Sequence, residues 1–421
     1  MKKRAFICIL LLIAFVFSSC SSVASDSANA ASNGSKISSP KKISFLAVKQ
    51  ANGVDEAAVA FAIDMLKASM EDGKNCMISP LSILSALGMT ANGADGETLK
   101  QMEEALFGGK TIEEFNAFYQ DLIKRITNPN EGVVAFANSI WYRDEPDRLK
   151  MNDDFIRKMQ ETFNSAINPG DFNDKNTVNL INDWVKDNTN GYIKKIIEEI
   201  SPDTVIYLIN ALYFEQKWAH QYPESNVKKD KFHTAGGDVN ADYLCGDERL
   251  YIHDGDVHGF IKSYEGNAFS FVALMPKEGV SPEAYLSKLT GKKLLDLLKG
   301  RERKTMWVTM PKFKTEFEAS LVEPLKSLGI TDAFEPDKAN FKNMAASSRG
   351  NLFVSDVLHK TFIEVNEAGT KAAAVTAVIV SDEAEEKYDV HLTFDRPFLY
   401  MIIDNQTNLP LFIGILNNPA E

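Results

Sequence analysis

Cysteine and histidine are both scarce in this sequence, four and six among 421 residues, and each scarcity closes a class of function. Cys8 and Cys20 lie in the first twenty residues, which leaves Cys76 and Cys245, 169 positions apart. Two such cysteines build no disulfide framework, and both read as buried free thiols. Few histidines leave few general bases, and no G-x-S-x-G elbow or H-E-x-x-H metal helix is present. Gly109-Lys110-Thr111 does not complete a phosphate loop, because Glu104 stands where that loop requires glycine. His253-Asp254-Gly255-Asp256-Val257-His258 packs four metal-capable side chains into six residues, yet acidic glycine-containing loops of this kind read as solvated turns. The chain is therefore expected to be no enzyme and to carry no cofactor and no metal. Long basic runs are absent too; with a net charge of -12 and a pI near 5.2, nucleic acid is excluded as a partner.

What is present begins with an export signal. Lys2, Lys3 and Arg4 precede the apolar stretch Ile7 to Phe17, whose 11 residues fall short of the about 20 that span a bilayer. The stretch ends at Phe17-Ser18-Ser19-Cys20, which resembles the lipobox of bacterial lipoproteins, where the cysteine becomes the lipidated first residue of the mature protein. Ordinary cleavage, for example after Ala28-Asn29-Ala30, is the alternative. Residues 21 to 39 hold eight Ser and four Ala without apolar periodicity, which reads as a tether reaching roughly 25 Å. The expected organisation is a signal peptide over 1–20, a flexible tether over 21–45 and one globular body over 46–421. The expected location is the bacterial cell envelope, at the outer membrane or cell surface, with extracellular release as an alternative.

Helical spacing marks 55–70, with Ala58, Phe61, Ala62, Met65 and Leu66 on one stripe. A second helix opens at Ser79-Pro80, with Ser as cap and Pro at the first helical position. Further helical patterns cover 96–106, 112–126, 152–163 and 176–187. Strand-like runs occupy 132–142, 204–214, 268–275, 305–315, 351–366 and 390–417. Early helices and late strands point to an α+β fold with large antiparallel or mixed sheets.

The most informative segment is Glu367 to Val380, followed by the charged Ser381-Asp382-Glu383-Ala384-Glu385-Glu386-Lys387. As a strand, 369–380 would place Thr370, Ala372, Ala374, Thr376, Val378 and Val380 on one face, with Lys371 on the other. That face carries no charge and nothing bulky, as insertion into a sheet over a packed core requires. Gly369 would supply backbone freedom at the pivot. Read alone, the same residues also fit an Ala/Val-rich strand or a short buried helix.

The surrounding blocks decide between these. Leu352 to Glu367 resembles the strand and hinge that precede the reactive-centre loop of serpins. Ile78-Ser79-Pro80-Leu81-Ser82-Ile83, Ala91 to Thr98, Ala137-Asn138-Ser139-Ile140-Trp141, Ile181 to Val185, Ile209-Asn210-Ala211-Leu212-Tyr213-Phe214, Met310-Pro311-Lys312-Phe313, Phe394 to Phe398 and Leu411 to Gly414 resemble serpin segments in family order. The resemblance implies the serpin fold, helices packed on large mixed β-sheets with an exposed reactive-centre loop. It implies a monomeric suicide-substrate inhibitor of serine or cysteine endopeptidases, which traps the acyl-enzyme by inserting the cleaved loop, about 369–383, into the main sheet. Roughly 17 inserted residues would carry the tethered protease some 55 Å.

Residue by residue, the resemblance makes Glu367, Gly369, Thr370, Ala372, Ala374 and Thr376 the hinge. Ser79, Ser82, Asn210 and His359 become a hydrogen-bonded cluster beneath the point where the sheet opens, and Trp218 the tryptophan above it. Family spacing places the scissile bond between Glu383 and Ala384, with cleavage after Asp382 or after Ala384 as alternatives. Ala368, usually charged, and Val375, often Ala, depart from the family pattern without charging the inserting face. The rival within the fold is a non-inhibitory surface binding protein. The implied partners are a target endopeptidase and, through Cys20, a membrane.

Overall fold

The computed structural model describes residues 53–127, 133–370 and 388–420. Its helices are α1 (Val54–Ser69), α2 (Pro80–Gly93), α3 (Gly96–Phe107), α4 (Ile112–Ile126), α5 (Asp153–Phe163), α6 (Lys175–Asn188), α7 (Pro282–Lys288), α8 (Gly291–Lys299) and α9 (Val322–Ser327). Strands begin with β1 (Cys76–Ile78), β2 (Val133–Arg143), β3 (Leu149–Met151), β4 (Ala166–Gly170), β5 (Ile206–Lys217), β6 (Val227–Thr234), β7 (Gly237–His253), β8 (Val257–Ser263) and β9 (Phe269–Pro276). They continue with β10 (Glu302–Pro311), β11 (Phe313–Ser320), β12 (Ala345–Ser347), β13 (Leu358–Val365), β14 (Gly369–Thr370), β15 (Val390–Thr393), β16 (Phe398–Asp404) and β17 (Pro410–Leu416).

Helix α2 shows how the sequence builds the centre. The Ser79 side chain accepts the Ser82 N–H, and Pro80 occupies the first turn. Pro80, Leu81, Ile83, Leu84, Leu87, Met89 and Ala91 are all buried, so the helix is apolar around most of its circumference and lies inside the molecule, against β5 and β17. The more exposed α4 instead buries one stripe, Ile112, Phe115, Tyr119, Leu122 and Ile126, and opens with a reciprocal capping box between Thr111 and Glu114.

Two large sheets enclose this core. In one, β1-β17-β16-β9-β8-β7-β10-β15 run side by side, with β6 joined to β7. Every residue of β9, β16 and β17 is buried, as expected of strands covered on both faces. The other sheet has the order β11-β13-β14-β5-β2-β4. Its β14 pairs antiparallel with β13 on one side and β5 on the other, so those two long strands run parallel. The fold is therefore α+β with large mixed sheets and helices packed on them.

The expected elements differ from the observed ones where local chemistry intervenes. Of the strand expected over 351–366 only 358–365 forms; before it the chain bonds elsewhere, Val354 N–H to the Ala333 carbonyl and Leu321 N–H to the Val357 carbonyl. The run 305–315 is two strands: Lys312 still donates its N–H to Asp242 at the end of the β10–β7 ladder, and from Phe313 the chain crosses to the other sheet and pairs with β13. The run 390–417 is three, with Asn408 at φ 58° in the last turn. The hairpins of 227–263 were not expected at all: β6 reads Val-Lys-Lys-Asp-Lys-Phe-His-Thr and buries only Phe232, too polar to signal a strand.

Candidate functional site

Residues 366–370 are held into the top of the six-stranded sheet. The Asn366 side-chain oxygen accepts the N–H groups of Ala368 and Gly369, at 3.0 and 3.1 Å, and the Asn366 N–H donates to the Gly369 carbonyl. Trp218 grips the same turn twice: its indole N–H donates to the Asn366 carbonyl at 2.8 Å and its backbone N–H to Ala368. Tyr222 N–H donates to Glu367 O.

Gly369 pairs with Lys217, and Thr370 pairs with Gln216 on β5 and with Val365 on β13. Gly369 is not in the left-handed region. A Cβ there would lie 2.1 Å from the Gln216 carbonyl oxygen, so glycine is required by close backbone approach rather than by the pivot freedom expected of it. Glu367 forms an ion pair with Lys312 at 2.7 Å. Burial works to raise its pKa, but the Lys312 ammonium and a backbone hydrogen bond outweigh burial and hold the carboxyl below its ordinary value.

Thr370 is 1% exposed, and its hydroxyl is 2.6 Å from that of Tyr264. Tyr264 is itself buried and stacks on Trp218 with centroids 4.5 Å apart. Burial pushes the Tyr264 phenol well above its usual range, so it serves as a neutral hydrogen-bonding group. Behind Trp218, the buried Lys262 ammonium pairs with buried Glu248, lies over the Tyr222 ring at 4.1 Å, and shares Glu248 with the Tyr222 hydroxyl. The sequence reading missed Tyr264, Tyr222, Lys262 and Glu248, because a single Lys or Glu reads as a solvated position, and a single Tyr as core, until its partners are known.

Beyond Thr370, β5 and β13 make no pairing with one another among the described residues. A cavity of about 730 Å³ lies between them. Residues 206–212 and 357–361 form its walls, Ser79 and, from α2, Ser82, Ile83 and Leu87 its floor, and Val185, Ile193, Ile196 and Ile197 of the α6 segment its cover.

The four residues expected to cluster here are divided by that cavity. On one side, Ser79 donates its N–H to His359 Nε2 at 3.0 Å and its hydroxyl to Leu411 O at 2.8 Å, and its oxygen caps Ser82. His359 is buried, and desolvation lowers its pKa to about 4; the accepted bond makes it the tautomer protonated on Nδ1. On the other side, Asn210 donates to Asn138, which is bonded in turn to Ser85 and Tyr119. The Asn210 side-chain oxygen is buried and has no hydrogen-bond partner among the described residues. Asn138, Ser85 and Tyr119 extend the polar network beyond what the motifs indicated.

Ala372, Ala374, Thr376, Asp382, Glu383 and Ala384 fall in 371–387, and Cys20 in 1–52, outside the described residues. Cys76 and Cys245 are buried and free. Around the 253–258 turn, Asp254 accepts the N–H groups of Asp256 and Val257, His253 faces Glu302, and His258 bonds Tyr251. Among the described residues no group of three or more His, Cys, Asp or Glu is arranged to hold a metal, and no helix is long and apolar enough to cross a membrane.

The family model of the serpins, described as serine protease inhibitors, matches residues 56–419. The chain belongs to the serpin family. It is 31% identical to antithrombin-III of Homo sapiens over 369 residues, 84% of this chain and 79% of that one. The crystal structure of the thermophilic serpin tengpin in its native state superposes with a TM-score of 0.83 at 40% identity, covering 88% of this chain and 95% of that one. Tengpin in its latent state gives 0.78 at 39% identity, covering 87% and 98%. In this serpin β5, β13 and β14 thus belong to the sheet of a fold shared with protease inhibitors.

Proposed function

We propose that this serpin is a suicide-substrate inhibitor of a serine endopeptidase, held at the bacterial cell envelope by a lipid on Cys20, with 1–20 removed and 21–45 as tether. The observation that carries the reading is Thr370, already paired on both sides at the head of the cavity. Continuing that register brings 371–380 opposite 215–206 of β5, and 371–377 opposite 364–358 of β13. Ala372, Ala374, Thr376, Val378 and Val380 then share the buried face of Thr370. Thr376 falls opposite both Asn210 and His359, where its hydroxyl supplies the donor that the orphaned Asn210 oxygen lacks.

In the proposed cycle the protease serine attacks the carbonyl of Glu383, the Ala384 amine leaves, and an acyl ester joins inhibitor to enzyme. Insertion of the freed strand then outruns hydrolysis of that ester. Each new ladder bond contributes about 0.5–1.5 kcal/mol net, so the uncleaved form is kinetically trapped.

The test is incubation with glutamate-directed, aspartate-directed and elastase-like serine proteases. A covalent complex that survives SDS is expected from at least one. Thr370→Arg, which places a charge against buried Tyr264, should be cut without forming the complex. Cleavage with no complex by the unaltered protein, and no gain in melting temperature on cleavage, would favour the non-inhibitory binding protein.

A further inference from the structure

Strand β10 carries a tryptophan on its outer side. Met306, Val308 and Met310 are buried, while Thr305, Trp307 and Thr309 between them are half-buried on the opposite face. The neighbours of Trp307 in register are the exposed His391 of β15 and the exposed Asp247 of β7. Tyr388 lies against the indole with centroids 5.5 Å apart, and stands edge-on to the His391 ring at 5.6 Å. The chain that carries these rings is fixed. Thr305 donates its N–H and its hydroxyl to the Asp389 carboxylate at 2.9 and 2.8 Å, and the Asp389 N–H returns to the Thr305 carbonyl at 2.9 Å. Rings already held in place lose little freedom when a partner covers them.

Their place in the chain indicates what that partner is. Tyr388 lies five residues after Glu383, which precedes the proposed reactive bond, a reach of at most about 18 Å. An endopeptidase domain of about 200 residues is about 40 Å across, so an enzyme seated on that bond comes against the rings. We propose that Trp307, Tyr388 and His391 form a docking surface for the target endopeptidase, apart from the bond it cuts, that takes an arginine or lysine side chain from the rim of the enzyme. The inference rests on the protease-inhibitor reading above. The indole offers its face to a cation, and the Asp247 carboxylate stands beside it. Asp389 is turned to Thr305 and has Lys304 within electrostatic range, so Asp247 is the carboxylate that supplies the attraction.

The test measures the second-order rate at which intact chain is consumed by whichever of a glutamate-directed, an aspartate-directed and an elastase-like serine protease acts on it fastest. The partition between covalent complex and cleaved product is read from the same reactions. Consumption counts both products, so it reports docking whether or not a complex forms. Tyr388→Phe keeps the ring and should match wild type. Trp307→Ala and Tyr388→Ala should each slow consumption about tenfold and leave the partition unchanged. Asp247→Lys, at an exposed position where folding is not at stake, should slow it about tenfold at low salt and less at high salt. Consumption of Asp247→Lys at the wild-type rate, or ring variants that change only the partition, would overturn the proposal. Slowed consumption in the variants with no complex from wild type would instead overturn the inhibitor reading and leave the docking surface standing.

Discussion

Single residues set the conditions under which the sheet holds together. His359 must be neutral to accept the Ser79 N–H, and burial lowers its pKa to about 4 against an ordinary 6.5. The unfolded chain therefore binds the extra proton first, and stability falls as pH drops from about 6.5 toward 4. The loss amounts to on the order of 3 kcal/mol over that window. Urea unfolding at stepped pH should show this slope, and His359→Gln should flatten it. Tyr264→Phe removes the partner of the buried Thr370 hydroxyl; the uncleaved protein should lose about 1–3 kcal/mol, whereas a loss under 0.5 kcal/mol would mean that water reaches Thr370. Gly369 shows how residue type can be legible while its cause is not. Its place at the hinge follows from the motif, but the contact that forbids a Cβ comes from Gln216, more than 150 positions away in the chain.

At the scale of elements, helices were the easier reading. The capped and periodic segments over 96–106, 112–126, 152–163 and 176–187 each correspond to a helix within a residue or two, because capping and amphipathic spacing are local. Strands β6 and β7 were illegible because polar residues interrupt their apolar pattern, and the ladder between chain neighbours, not the pattern, makes them strands. The site was half legible for the same reason: motifs placed Ser79, Asn210 and His359 at one level, but only the strand separation shows that Asn210 stands apart from the other two. The α6 segment offers a test at this scale. Asn182 accepts the N–H groups of Ile196 and Ile197 and donates to the Ile197 carbonyl, so it fastens the cover of the cavity to the helix. Asn182→Ala should lower the midpoint of thermal unfolding by several degrees, since buried backbone groups lose their partner, and should speed amide exchange at 193–197 more than elsewhere.

For the molecule as a whole, the proposed tether and anchor predict a partition between compartments. Cys20→Ser should shift the protein from the detergent-extracted envelope fraction to the soluble fraction and leave inhibition of a soluble protease unchanged. Unchanged envelope association would mean that another segment holds it there. Entry of a new strand into the six-stranded sheet also has to be reconciled with a dense interior. Trp141, Phe172, Ile181, Val185, Ile193, Ile197 and Ile209 form a buried cluster distinct from the main core, drawn from β2, β5 and the α6 segment, with nothing contributed by β13. That side of the seam is internally bonded, like a raft. It can adjust as one body while its own contacts stay intact, so the barrier to accommodating a new strand falls on the few groups that bridge the seam rather than on the packing of either bank.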